Sequence, residues 1–320
     1  MKDNLKKIAE KLHDNQNFII TGHIDPDGDS VGSVLALTRI LKKQNKNVRA
    51  YLDDRSLASF SFLKAEKDEI FDDDFLNTNN LVVIALDSGT LDRAALKEQI
   101  FKTAKLTINL DHHADNTHFA DINLVNSDKA AVGEIIYDLA KFINADLKDE
   151  KIGDALAVAI ISDTGALRYE NTSSDVLRIL AELMDNGVDI YRINKELFGS
   201  YSYESLLLKG LALSTLTLTK NGKIAWLYVD QSMISEAGSD YTEGLVNYAR
   251  DIKGVEIGIF FSEEKPKSTR VSFRSNYYAE VNKLAAEFNG GGHARAAGAE
   301  INRPLEIAIY EVIKAAGKYV

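Results

Sequence analysis

Four short apolar runs in the first half of the chain, residues 18–21, 48–52, 81–86 and 106–110, constrain the fold more than any other feature. Each is four to six residues long and continuous rather than alternating, the pattern of strands buried on both faces of a parallel sheet. Between them lie segments with helical periodicity. In residues 31–43, Val31, Val34, Leu35, Leu37, Ile40 and Leu41 fall on one stripe. Residues 92–102, 131–142 and 150–161 read as further helices. Strands alternating with helices predict βαβ units and a doubly wound, mainly parallel α/β sheet.

The second half changes character. Residues 174–213 read as almost all helical, interrupted near Asn186-Gly187 and Gly199. After them, residues 213–219, 223–229, 255–261 and 269–274 read as strands, with 277–289 and 304–316 as helices. Lys220-Asn221-Gly222-Lys223 suits a hairpin turn, because Asn-Gly accepts positive φ. We therefore expect a first domain over 1–185, a helical connector over 186–213, and a smaller α+β domain over 214–320. The connector is as well suited to a dimer contact as to a hinge.

Composition narrows the function. With 320 residues, 45% of them hydrophobic, the chain can bury a sizeable core without staples. It has no cysteine, which removes disulfides and thiol catalysis and is compatible with the cytoplasm. A net charge of −10 argues against coating duplex nucleic acid, where affinity comes from Lys and Arg on phosphates. No apolar run approaches the ~18 residues that span a bilayer, and residues 1–11 lack the pattern of a targeting segment.

The chemistry gathers in four His/Asp clusters. His23-Ile24-Asp25-Pro26-Asp27-Gly28-Asp29-Ser30 follows the first apolar run, and Asp87-Ser88-Gly89 the third. Asp111-His112-His113 follows the fourth, and Ser162-Asp163-Thr164-Gly165 follows the apolar residues 156–161. Taking all four runs as strands puts the clusters at carboxyl ends, where open α/β sheets bind ligands. Singly, each has a plain reading: Asp25, Asp27 and Asp29 make turns and helix caps, and Asp87 is a common loop residue. A calcium loop fits poorly, since no Glu occupies its twelfth position. Adjacent histidines after a buried strand have no packing role. Together the clusters supply enough ligands for two divalent ions, and mixed His/carboxylate shells suit Mn²⁺, Fe²⁺ or Zn²⁺. Such a pair needs a bridging carboxylate, yields hydroxide at neutral pH and clamps a phosphoryl group.

These motifs, in this order, resemble the DHH phosphoesterase superfamily, whose name is spelled here by Asp111-His112-His113. The companion DHHA1 signature is matched by Gly290-Gly291-Gly292-His293-Ala294-Arg295-Ala296-Ala297-Gly298. The resemblance spans nearly the whole chain and is greatest to the nanoRNase/pAp-phosphatase branch. It implies two Mn²⁺ ions, with Mg²⁺, Fe²⁺ or Co²⁺ as alternatives. It puts His23 and Asp27 on one ion, Asp29, His112 and Asp163 on the other, and Asp87 between them. His113 then acts on the substrate phosphate as donor or general acid, while Asp25 and Asp111 orient ligands or serve structure.

The glycines offer backbone N–H groups to a phosphate or simply stop a helix. Arg274, at the end of a predicted strand, suits a terminal phosphate. The resemblance implies Arg274, Gly291, Gly292 and His293 as substrate contacts. Arg93 is either a substrate contact or a helix-surface charge, and Arg295 either a contact or a surface charge. The implied activity is hydrolysis of very short oligoribonucleotides to mononucleotides and of 3′-phosphoadenosine 5′-phosphate to AMP. The cleft between domains would set substrate length. Alternatives are turnover of pApA or cyclic di-AMP, a single-strand exonuclease, and a non-catalytic nucleotide-binding protein. Expected partners are short RNA or phosphorylated nucleotides, with no membrane, no long duplex, and a homodimer open.

Overall fold

The computed structural model describes residues 2–320, the side chains of Lys2 and His293 excepted. The chain divides into two compact units, one running to Ser200 and the other Tyr201–Val320.

The first unit runs α1 (Lys2–Asp14), β1 (Asn17–Thr21), α2 (Gly28–Lys43), β2 (Asn47–Tyr51), α3 (Asp54–Ser59), β3 (Leu81–Leu86) and α4 (Glu98–Thr103). It continues with β4 (Leu106–Asp111), β5 (Ile122–Val125), α5 (Val132–Phe142), α6 (Glu150–Asp163), α7 (Ser174–Asp185) and α8 (Ile190–Phe198). Among the described residues, five parallel strands form one sheet in the order β2-β1-β3-β4-β5. The continuous apolar runs have a direct cause. Phe18, Ile20, Val82 and Ile84 pack on one face with α2, α5 and α6, while Ile19, Val83 and Ala85 pack on the other with Phe75, Leu96 and Phe101. Each fully buried aliphatic side chain contributes roughly 1.5–3 kcal/mol. The chain order reverses between β1 and β3, so their carboxyl ends flank a switch point, where such sheets bind ligands.

Gly32 fixes how closely the helices behind this point approach. A Cβ there would lie 2.4 Å from the Ala155 carbonyl oxygen and 2.8 Å from the Ala159 nitrogen. Helices α2 and α6 therefore cross nearly backbone to backbone. Gly32 lies about one turn beyond Asp29, and Ala159 about one turn before Asp163.

Three expectations for this unit need correction. The helix expected over 150–161 forms as α6, apolar all round because it is buried, so the cluster at 162–165 lies at the end of a helix and not of a strand. Residues 92–102 do not form one helix. A 3₁₀ turn at Leu91–Arg93 precedes an extended stretch and the short α4. The extended stretch is spent on pairing: Ile24 N–H donates to the Arg93 carbonyl (2.8 Å) and Ala95 N–H to the Gly22 carbonyl (2.9 Å). The third is β5, which went unread because its four residues carry little pattern.

The second unit comprises α9 (Tyr203–Ser214), β6 (Thr217–Leu218), β7 (Ile224–Val229), α10 (Gln231–Ala237), α11 (Leu245–Arg250) and β8 (Ile257–Lys265). After these come β9 (Ser268–Ser275), α12 (Val281–Ala286), β10 (Gly291–His293), β11 (Ala296–Ile301) and α13 (Leu305–Ala316). Its mixed sheet has the order β10-β11-β9-β8-β7-β6, in which only the β7–β8 pair is parallel among the described residues. The Asn221-Gly222 hairpin forms, with Gly222 at φ 69°. Residues 213–214 end α9, so the first strand is only Thr217–Leu218. The helix expected over 277–289 shortens to α12, and the glycine-rich segment is a hairpin rather than a free loop. Of the stretch 186–213, α8 packs on α6 in the first unit and α9 packs on β7 and α10 in the second. No described helix is long and apolar enough to cross a membrane.

Candidate metal centre

Three loops at the ends of the adjacent strands β1, β3 and β4, together with the end of α6, converge on one cluster. His23 Nε2 lies 3.8 Å from Asp27 Oδ1 and 3.4 Å from Asp87 Oδ2. His112 Nε2 lies 4.0 Å from Asp29 Oδ2, 3.5 Å from Asp87 Oδ1 and 3.4 Å from Asp163 Oδ2. Ligand atoms of His23, Asp27 and Asp87 all fall within 4.8 Å of one another, as do those of Asp29, His112 and Asp163. A third overlapping group is Asp87, His112 and His113. Asp87 thus faces His23 with Oδ2 and both His112 and His113 with Oδ1, the last at 3.5 Å from His113 Nδ1.

Local structure aims these groups. Asp87 sits at φ 54°, a left-handed conformation that costs most residues energy and turns its side chain toward the switch point. His23 Nδ1 lies 2.8 Å from the Ile24 carbonyl and His112 Nδ1 3.2 Å from the Lys129 carbonyl. A carbonyl only accepts, so Nδ1 carries the proton in both rings and Nε2 points into the cluster as a potential ligand. The group orienting His23 is therefore the Ile24 carbonyl, not the Asp25 carboxylate.

Asp29 is fully buried and accepts hydrogen bonds from Ser33 Oγ (3.0 Å), Val132 N–H (2.6 Å) and Gly133 N–H (3.0 Å). It caps α5 from another helix, since Ala131 at the α5 N-cap has no capping side chain. Asp27 combines a local and a functional reading, capping α2 through the N–H groups of Asp29 and Ser30 while its Oδ1 faces His23.

His113 is held differently. Its Nδ1 donates to Asp111 Oδ1 at 2.8 Å. The same oxygen accepts the His112 N–H (2.9 Å), and Oδ2 accepts from Asn116 Nδ2 (2.6 Å). Asn116 also donates to Asn109 Oδ1 (2.8 Å), and Asn109 Nδ2 donates to the Ala85 and Ser88 carbonyls (both 3.2 Å). Asn109 and Asn116 escaped the sequence reading. The available signal was a polar residue inside an apolar strand, since Asn109 is fully buried.

The charges respond to this crowding. Burial opposes a charged His23, but its bonds to Asp27 and Asp87 outweigh burial and push it up to about 11. His112, buried too, is raised to about 10 by Asp87, Asp29 and Asp163. Burial and the Asp87 charge push Asp29 up to about 8, and burial with Asp29 and Asp27 raises Asp163 well above the carboxylate range. Asp87 goes the other way: burial works against its ionisation, yet His112 and His23 hold it below the usual range. Asp111 raises His113.

Four carboxylates, of which Asp29 and Asp87 are buried, and two imidazoles with aimed Nε2 atoms fit divalent cations. The buried Asp87 Oδ1, which makes no hydrogen bond, supports the fit. A bound cation replaces protons, and a sign follows. Without an ion, His23, His112, Asp29 and Asp163 bind more protons folded than unfolded. The stability they lend is present below the unfolded values and lost as pH rises through the folded ones. We expect the melting temperature in chelator to fall between pH 6.5 and about 9.5, and a saturating divalent ion to reduce that fall. At pH 7.5, titration calorimetry in buffers of different ionisation enthalpy should register net proton release on ion binding. Buffer-independent heats would contradict this account.

A hollow of about 160 Å³ opens beside the cluster, lined by His23, Asp25, Tyr51 and Asp53 among others. A larger hollow, about 460 Å³, lies at Ile40 and Lys43, some 20 Å along α2 from Asp29.

The residues assigned to the substrate are more dispersed. The Arg93 side chain is exposed, while its carbonyl braces the His23 loop. In the second unit, Arg274 lies in β9 opposite Ala296, and Gly291 and Gly292 pair with Gly298 and Ala297. Gly292 has φ 136°, and a Cβ on it would lie 2.6 Å from the Ala296 carbonyl, so hairpin packing alone demands glycine there. The side chain of His293 lies outside the described residues. Arg295 is a structural clamp, its Nη1 donating to the Ala279 carbonyl (2.9 Å).

Comparison with known proteins agrees with this architecture. Residues 17–160 match the DHH family, N-terminal domain, and residues 224–320 match the DHHA1 domain. The chain is 30% identical over 302 residues to the bifunctional oligoribonuclease and PAP phosphatase NrnA of Thermus thermophilus, covering 93% of this chain and 89% of that protein. It is 28% identical to the protein of the same name from Bacillus subtilis, covering 89% of each. A crystal structure of an exopolyphosphatase-related protein from Bacteroides fragilis superposes with a TM-score of 0.90 at 25% identity, covering 100% of this chain and 97% of that one. The chain belongs to the DHH phosphoesterase family, in the form that carries a DHHA1 domain.

Proposed function

We propose that this protein is a two-metal phosphoesterase. It hydrolyses very short oligoribonucleotides to mononucleotides and removes the 3′-phosphate from 3′-phosphoadenosine 5′-phosphate to give AMP. The observation that carries the reading is Asp87, whose two oxygens face His23 and His112 at 3.4 and 3.5 Å and so join two ligand sets. The names of the relatives from Thermus thermophilus and Bacillus subtilis support the substrate class.

His23 and Asp27 are proposed to hold one ion, Asp29, His112 and Asp163 the other, with Asp87 shared. Mn²⁺ is the proposed ion, the one the family resemblance implies, and His/carboxylate shells accept it as they do Fe²⁺ and Zn²⁺. When bound, such a pair supplies an activated water at neutral pH and an electrostatic clamp for the phosphoryl oxygens. The chain supplies the rest. Asp111 fixes the His113 ring and raises its proton affinity, so His113 presents a proton to a phosphoryl or leaving-group oxygen. In the second unit, Arg274 is proposed to take a substrate phosphate bidentately. As the edge strand of its sheet, β10 turns the backbone N–H of alternate residues outward, and the Gly291-Gly292 pair is proposed to present one to a phosphate.

The test is a substrate panel with Mn²⁺: a dinucleotide, oligomers up to ten nucleotides, 3′-phosphoadenosine 5′-phosphate, pApA, cyclic di-AMP and pyrophosphate. We expect the dinucleotide and 3′-phosphoadenosine 5′-phosphate to give the highest kcat/KM, with rates falling as oligomers lengthen. Preference for cyclic di-AMP or pyrophosphate would overturn the assignment.

A further inference from the structure

The turn that follows β9 is held with unusual completeness. Glu256, at 1% exposure, lies just before β8. Its Oε1 accepts three successive backbone N–H groups, from Tyr277 (3.1 Å), Tyr278 (2.7 Å) and Ala279 (2.7 Å). Arg295 grips the opposite side, donating to the carbonyls of Tyr277 and Ala279. Ser275 Oγ also donates to the Ala279 carbonyl (2.7 Å). Asn276 Nδ2 ties the start of the turn to the carbonyls of Arg250 (2.9 Å) and Val255 (2.8 Å).

All this fixes a turn whose outward products are two large side chains. Tyr277 is 78% exposed and Tyr278 55% exposed. Rings that open to water contribute little to a core, so burial does not account for two tyrosines on so firmly held a backbone. The neighbourhood supplies a reason. Arg295 belongs to the glycine-rich signature, and Arg274 lies three residues before Tyr277, paired in register with Ala296. A nucleotide carries an anionic phosphate and a flat π face on one small molecule, and a segment that holds Arg274 and two exposed tyrosines within five residues offers a partner for each.

We propose that Tyr277 and Tyr278 form a stacking platform for a nucleobase of the substrate, with Glu256 and Arg295 as positioning residues. With the backbone already held, only the two χ angles of each tyrosine need be fixed on stacking, which keeps the entropy cost low. Because every base has a π face, the platform favours a base of any identity over none. This inference rests on the phosphoesterase reading above and adds to it where the base is held.

The test uses the full chain with saturating Mn²⁺ and measures KM and kcat for pApA and for an analogue with both bases replaced by hydrogen. The parent is compared with Tyr277→Ala, Tyr278→Ala, the double variant and Tyr277→Trp/Tyr278→Trp. The double alanine variant is expected to raise KM for pApA by about 5- to 150-fold, the loss falling on KM rather than kcat. The tryptophan variant should keep the parent KM. The analogue should bind parent and double alanine variant alike. An unchanged KM for pApA in the double alanine variant overturns the platform while leaving the phosphoesterase reading intact, and is also the result if these rings dock a protein instead. A parent that cleaves neither compound overturns the phosphoesterase reading, and the platform with it.

Discussion

Asp87→Ala is expected to lower kcat on a dinucleotide by about 10³-fold at saturating Mn²⁺, and to cut the number of tightly bound ions. In the proposed site Asp87 is the one carboxylate within reach of both His23 and His112. Its Oδ2 faces His23 and its Oδ1 faces His112, and neither histidine has another carboxylate in common. Removing it would take from the proposed pair of ions the ligand they share and a full negative charge. Two-metal sites supply several kcal/mol of charge stabilisation in the transition state, and each 1.36 kcal/mol is tenfold in rate. Asp87→Asn sharpens the test. Asparagine tolerates the left-handed backbone at this position and keeps the shape, so only charge is lost. Loss in both variants, with both folded, assigns the effect to the carboxylate. Activity within tenfold of the parent in either would end the bridging role.

Much of this centre was legible in the sequence, for a physical reason. Parallel strands buried on both faces leave runs such as residues 81–86 that little else produces, and their carboxyl ends are where polar residues can surface together. The resemblance then ordered the ligands. What stayed hidden depends on partners distant in the chain. The break in the 92–102 helix comes from pairing with Gly22 and Ile24, the shortened α12 from the grip of Glu256 on residues 277–279, and β11 (Ala-Ala-Gly-Ala-Glu-Ile) from pairing with β9 despite weak strand propensity. Asp163, which the structure groups with Asp29 and His112, ends a helix and not a strand, because a helix buried all round carries an apolar run like that of a buried strand.

Arg39→Leu is expected to lower stability by about 3–5 kcal/mol, a melting shift on the order of 10 °C. Arg39 lies on α2, the helix that carries Asp29, and both it and Glu69 are buried. Its Nε and Nη2 donate to the two Glu69 oxygens at 3.0 and 3.3 Å, its Nη1 to the Lys151 carbonyl at 2.8 Å, and Nη2 also to the Leu63 carbonyl at 2.8 Å. Removing the guanidinium strands a carboxylate away from water, which costs far more than the intact pair contributes. Arg39→Leu/Glu69→Leu removes both charges and should recover at least half of the loss. Denaturant unfolding in chelator measures it. A double variant as unstable as the sum of its singles would refute the stranded-charge account. The folded fraction of each variant should retain its ion affinity, since the pair lies at the other end of α2 from Asp29.

Helix α5 begins on a carboxylate borrowed from α2, because Ala131 offers no cap of its own. Scaffold and reactivity are thereby entangled in heredity. A lineage that abandoned hydrolysis could shed His23 or Asp163 freely, but discarding Asp29 would unravel the first turn of α5 unless serine, threonine or aspartate arrived at position 131 in the same step. Retired descendants of this protein should therefore be recognisable by which acid they were obliged to keep.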